Sequence, residues 1–164
     1  MTPHELKRLL PAHAEDGMAT HILHACHGTG LPVSYALALL EKETGFRNVF
    51  GHDPTRAIPD AWKGTRVTTA KYRYYKARRR LGYGMQGVGP CQLTWYAFQD
   101  EADRIGGCHR PYPNLCVGFR RLRELVTAHG RQAGAAAYNG VGDAAEAYGL
   151  DFVRRQAEWH RRLT

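Results

Sequence analysis

Apolar residues return along this chain at helical spacing, most clearly in residues 31–46, LPVSYALALLEKETGF. Val33, Ala36, Leu37 and Leu40 fall at i, i+3, i+4 and i+7, which predicts a helix with one buried face. Pro32 suits the first helical position, and Gly45 is expected to stop the helix. At about 100° per residue, Glu43 lies on the flank of the buried face beside Ala36 and Leu40. Lys42 then points the opposite way, and Glu41 sits at the far edge.

The same periodicity runs through most of the chain. Residues 2–27 read as two helical segments broken near 11–17, the first opened by a capping box in Thr2-Pro3-His4-Glu5. Ala19, Ile22, Leu23 and Cys26 form the stripe of the second. Trp95, Phe98, Ala102 and Ile105 mark another helix, closed by Gly106 and Gly107. Asn114 is expected to cap the next, with Leu115, Phe119, Leu122 and Val126 on one face. A short Ala-rich helix then stops at Asn139-Gly140. The last runs from about Asp151, with Phe152, Gln156, Trp159 and Leu163 in line.

The stretch 48–86 breaks the pattern. It is rich in turn formers and carries the short β-branched run 65–69, so a small hairpin or an irregular insertion is expected. The fold class is therefore mostly α, with a short β or irregular insertion at about 48–86. At 164 residues, without repeats or linkers, the chain reads as one domain, 1–164.

Glu43 is the residue whose position carries chemistry. A carboxylate in the last turn of a buried helix is desolvated and faces the negative end of the dipole; both effects raise its pKa. A general acid working near neutral pH needs that shift. The alternative is an ordinary solvated glutamate at a frayed helix end.

Charge changes the picture of the partner. With 23 basic and 15 acidic residues the net charge is +8, which favours a polyanion: nucleic acid, anionic lipid or an anionic cell wall. Residues 71–80, KYRYYKARRR, interleave six cations with three tyrosines. They read as a surface for single-stranded nucleic acid, as the solvated face of a basic helix, or as a clamp for an anionic polymer. No apolar run is long enough to span a membrane and the N-terminus does not resemble a signal peptide, so a cytosolic product is expected.

His21, His24, His27 and Cys26 cluster, but no local carboxylate completes a ligand set, and no metal or other cofactor is expected. The four cysteines form no CxxC pair. Cys108 and Cys116 flank a Pro-containing loop that a disulfide could close, although free thiols suit a cytosolic product better. Gly82, Gly84, Gly87 and Gly89 crowd one stretch without a GK[ST] ending, so backbone there is expected to pass close to a ligand or another element.

Three short motifs now align in order. Glu43-Thr44-Gly45-Phe46 resembles the E-S-G-F signature of lytic transglycosylases, Gly89-Pro90-Cys91-Gln92-Leu93 their G-L-M-Q motif, and Ala137-Tyr138-Asn139-Gly140 their A-Y-N-A-G. Residues 114–122 echo the N-x-x-x-G-x-x-x-L helix of the same proteins. The resemblance covers about 30–142 and is to the lysozyme-like superfamily, soluble lytic transglycosylases and goose-type lysozymes. The wording of the chain is most similar to bacteriophage endolysin catalytic domains.

It implies a lysozyme-like fold built around the Glu43 helix. It also implies cleavage of the β-1,4 bond between N-acetylmuramic acid and N-acetylglucosamine with Glu43 as acid, either as a muramidase using water activated by a second carboxylate or as a lytic transglycosylase using the sugar's own 6-hydroxyl. Thr44, Gln92, Tyr138 and Asn139 would line the groove and hold the sugar. Thr44 stands where the family has Ser, and Pro90-Cys91 where it has Leu-Met. The long insertion is like that of goose-type lysozymes, which carry extra acids there; Asp53 and Asp60 are the candidates, Asp53 the better one. The expected product is a monomer made in a host cytoplasm that acts on cell-wall glycan, with anionic wall polymers as further partners. The competing function is a basic nucleic-acid-binding module using residues 71–80.

Overall fold

A computed structural model describes all residues, 1–164. Eight helices form: α1 Pro3–Leu9, α2 Met18–Thr29, α3 Val33–Glu43, α4 Thr69–Arg80, α5 Tyr96–Arg104, α6 Pro111–His129, α7 Arg131–Asn139 and α8 Asp143–Leu163. The class is mostly α, as the periodicity predicts. No helix is long and apolar enough to cross a membrane.

Five of the helices close a ring. α2 packs on α3, α3 on α8, α8 on α7, α7 on α6, and α6 back on α2. α1 leans on α2, and α5 on α6. The expected capping box is present: the Thr2 side chain accepts from the Glu5 N–H while the Glu5 carboxylate accepts from the Thr2 N–H.

α3 is buried more completely than a one-faced helix. Ala36 to Leu40 are all inaccessible to solvent, because α8 covers the flank expected to be polar. Lys42 is accordingly only partly exposed. Its ammonium pairs with Asp151 of α8 at 2.6 Å and lies 4.5 Å from the centre of the Tyr148 ring. Glu41 pairs with Arg155 and accepts from the Trp159 indole.

Two helices begin earlier than their stripes suggest. α8 starts at Asp143 rather than near Asp151, running straight through Gly149. That glycine is helical because α7 passes against it, and a side chain there would collide with the Gln132 carbonyl. α6 starts at Pro111, whose fixed φ suits the first turn, so Asn114 lies inside the helix and does not cap it. Its buried amide serves a loop instead: Oδ1 accepts from the Cys91 N–H at 2.9 Å, and Nδ2 donates to the Val88 carbonyl at 2.8 Å.

The insertion holds no extended strand. Three isolated antiparallel bridges, Val49 to Arg66, Phe50 to Val88 and Val88 to Leu93, tie an irregular segment together. A single turn at Asp60–Trp62 and the whole of α4 lie within it. The 71–80 stretch is therefore helical, and Tyr72 and Tyr75 on its inner face belong to the core. All four cysteines are free thiols.

Candidate active site

A cavity of about 610 Å³ opens where the C-terminal end of α3, the insertion, the loop before α5, and α7 meet. Glu43 and Asp53 both face it, with Gln92, Tyr138 and Asn139 among its walls. Residues far apart in sequence are thus gathered by the fold into one space.

Glu43 is the last residue of α3 and is half-buried. Burial holds its carboxyl above the ordinary glutamate value, while a hydrogen bond from the Tyr148 hydroxyl and the charge of Lys42 act in the opposite direction. The net shift is upward. Tyr148, itself buried beside that carboxylate, has its phenol pushed far up and remains a donor.

Asp53 is held differently. Its Oδ2 accepts from the Gly87 N–H at 2.8 Å and from Gln86 Nε2 at 3.2 Å, while Oδ1 has no protein donor. Two carboxyl groups in one cavity thus sit in unlike surroundings, one desolvated and one held by hydrogen-bond donors. Asp60 is outside the cavity; its exposed carboxylate pairs with Lys63 at 2.7 Å.

Gln92 has a left-handed backbone, φ 49°, unusual for a residue with a side chain. The turn directs its Nε2 to the Val49 and Gly89 carbonyls, at 3.0 and 2.9 Å. A Cβ at Gly51 would stand 2.5 Å from Gln92 Oε1 and 2.7 Å from Asp53 Oδ2. The close approach expected of the glycine-rich stretch is therefore shared with Gly51: both polar ends rest over bare backbone.

Tyr138 spans from α7 to the same loop, its hydroxyl donating to the Cys91 carbonyl at 2.9 Å. Asn139 is the exposed last residue of α7 and reaches the cavity. Thr44 does not line it. Its buried hydroxyl donates to the Pro90 carbonyl at 3.1 Å and anchors the Gln92 loop to the end of α3.

The sequence missed several cavity residues. Trp95 and Arg121 line it, and Trp95 is 48 % exposed, an open aromatic face beside Tyr96. The spacing of Trp95 with Phe98, Ala102 and Ile105 predicts a place within the helix, but Trp95 precedes α5 as its N-cap. Tyr148 could have been found: Ala145, Tyr148 and Phe152 continue the α8 stripe toward the N-terminus at i, i+3 and i+7.

No three His, Cys, Asp or Glu side chains converge as a metal cluster anywhere in the structure. The His21 ring instead lies 6.1 Å from that of Tyr112. On α4, Lys76 pairs with Asp103 and Arg79 with Asp100 of α5, whereas Arg73, Arg78 and Arg80 have no acidic partner. No family model, curated protein or solved structure matches this chain.

Proposed function

We propose that the protein cleaves the glycan strands of peptidoglycan between N-acetylmuramic acid and N-acetylglucosamine, as an endolysin-like enzyme of the lysozyme-like superfamily. The observation that carries this is the presence in one cavity of Glu43, a carboxyl whose protonated form burial favours, and the donor-anchored Asp53. The motif-bearing residues Gln92, Tyr138 and Asn139 surround the pair.

Glu43 gives its proton to the glycosidic oxygen as the bond to the muramyl C1 breaks. Asp53 takes a proton from the water that attacks C1 from the other face, so the products are a reducing muramyl end and a free 4-hydroxyl. Glu43 then recovers its proton from solvent. The amides of Gln92 and Asn139 and the exposed Trp95 ring suit a substrate rich in hydroxyl and acetamido groups with flat apolar sugar faces.

The nucleic-acid module explains less. Only Tyr74 of the three tyrosines in 71–80 is exposed for stacking, and two of the six cations are already paired. The test is mass spectrometry of fragments released from purified peptidoglycan by the wild type and by Glu43→Gln. Wild-type release of muramyl-ended fragments, with at least a ~10²-fold drop in the variant at unchanged melting temperature, is expected. A fully active, folded Glu43→Gln refutes the assignment.

A further inference from the structure

The outer face of α4 is a part of the basic stretch that the cavity of Glu43 and Asp53 does not use. No acidic residue occurs in the sequence between Asp60 and Asp100. The two α5 acids that reach this helix go to its inner side, Asp103 to Lys76 and Asp100 to Arg79. Asp60, in the neighbouring turn, pairs with Lys63. Arg73, Arg78 and Arg80 are thereby left without a counter-ion, and so is Arg56 of the segment alongside.

Arg78 differs from the other three because its position is fixed. Its Nε donates to the Arg56 carbonyl at 3.1 Å, and its guanidinium carbon lies 3.7 Å from the centre of the Tyr83 ring. The backbone holds that stack together. The Tyr83 N–H donates to the Arg78 carbonyl at 3.2 Å, and the Arg56 N–H donates to the Tyr83 carbonyl at 3.2 Å. One nitrogen of the fork is thus spent on orientation, while the two terminal nitrogens have no protein acceptor. A guanidinium laid flat on a ring with both terminal nitrogens free is pre-organised for paired, charge-assisted hydrogen bonds to an oxyanion.

We propose that this face binds the phosphodiester groups of an anionic wall polymer, with Arg78 as the phosphate receptor. The wall as the source of that polymer rests on the glycosidase function above; the phosphate chemistry does not. Arg73 and Arg80 lie across the exposed stripe of Ala70, Tyr74 and Ala77 from Arg78, and supply attraction without fixed geometry. A nucleic acid brings bases that need open ring faces. Here the rings already carry the chain's own cations. Lys71 lies 5.4 Å from the centre of the Trp62 ring, and Arg78 covers Tyr83 and sits 5.7 Å from the Tyr74 centre. Trp62 and Tyr74 also meet edge to face at 5.1 Å. A polymer with phosphates and no bases matches what is left free.

The experiment is equilibrium binding of the whole chain to poly(glycerol phosphate) and to an oligothymidylate with the same number of phosphates, at equal ionic strength. The wild type is expected to bind the polyol phosphate more tightly. Arg78→Lys keeps the charge but removes the fork, and is expected to weaken that binding about tenfold at unchanged melting temperature. Arg80→Lys should change it by less than about twofold. Tyr83→Leu keeps every charge and removes the ring beneath the guanidinium; a loss of about threefold is expected, and it carries the test if Arg78→Lys does not fold. Three results overturn the proposal. They are no wild-type binding to poly(glycerol phosphate), tighter binding of the oligothymidylate, and equal effects of Arg78→Lys and Arg80→Lys, the mark of charge attraction alone. Binding is read without turnover, so a wild type that holds the polymer but cuts no peptidoglycan refutes the glycosidase function and the wall as source, and leaves the phosphate receptor standing.

Discussion

Replacing Asp53 by asparagine separates the two ways this cavity can complete a cleavage. The structural cost follows from its contacts. Oδ2 accepts from the Gly87 N–H and Gln86 Nε2, and an asparagine carbonyl oxygen can accept from both without moving. Making the acceptor neutral lowers each bond from about 1.5–3 to about 0.5–1.5 kcal/mol. Solvent screening at a partly exposed carboxylate brings the total loss to about 1 kcal/mol. For a chain of this length that moves Tm by roughly 2–4 °C. The chemical cost is larger if Asp53 takes the proton of the attacking water: at least ~10²-fold, or about 2.7 kcal/mol of barrier. The assay is turnover of purified peptidoglycan alongside a melting curve, with products identified by mass. A folded variant that is strongly impaired, and a wild type releasing reducing muramyl ends, are expected. Full activity in Asp53→Asn with products ending in 1,6-anhydromuramic acid would refute the role, since the sugar's own 6-hydroxyl would then be the nucleophile and Asp53 only a tie for Gly87.

The other perturbations probe how the acid and its surroundings are held. Tyr148→Phe removes a hydrogen bond that favours ionised Glu43, so its pKa rises further and the alkaline limb of the pH–rate profile moves to higher pH; a limb that stays put or moves to lower pH contradicts the assigned acid. Gly51→Ala places a methyl 2.5 Å from Gln92 Oε1 and 2.7 Å from Asp53 Oδ2. Both are ends of flexible side chains, so activity is expected to fall by about 10–10²-fold with a much smaller change in Tm. Neutralising Arg73, Arg78 and Arg80 is expected to slow lysis of intact walls at low salt and to leave short soluble glycans unaffected. Equal effects on both substrates would rule out electrostatic steering.

The helices were legible where one periodic face meets one neighbour, as in α2 and the body of α6. The departures have a common cause. A sequence stripe records that a face is buried but not how many partners cover the rest of the helix. α3 shows this directly: Lys42 and Glu41 read as solvent-facing, yet the packing of α8 on α3 puts Asp151, Arg155 and Trp159 against them. The early start of α8, at Asp143 rather than Asp151, is what delivers Tyr148 to Glu43, so the misplaced boundary accounts for the missing donor of the acid. Asn114 and Thr44 carry the complementary lesson. Residue type makes Asn114 a cap and the motif resemblance makes Thr44 a groove residue, yet each uses its polar atoms to hold the 88–92 loop, Asn114 from α6 and Thr44 from the end of α3. Local patterns cannot show such contacts, because the partners are backbone groups of a segment with no periodicity. The candidate site was nonetheless visible in outline, because the wheel of α3 places Glu43 on the flank of its buried face and a glycine-dense loop demands a close backbone approach. Bare backbone at Gly51 and Gly87 is what lets Asp53 and Gln92 share the cavity with Glu43.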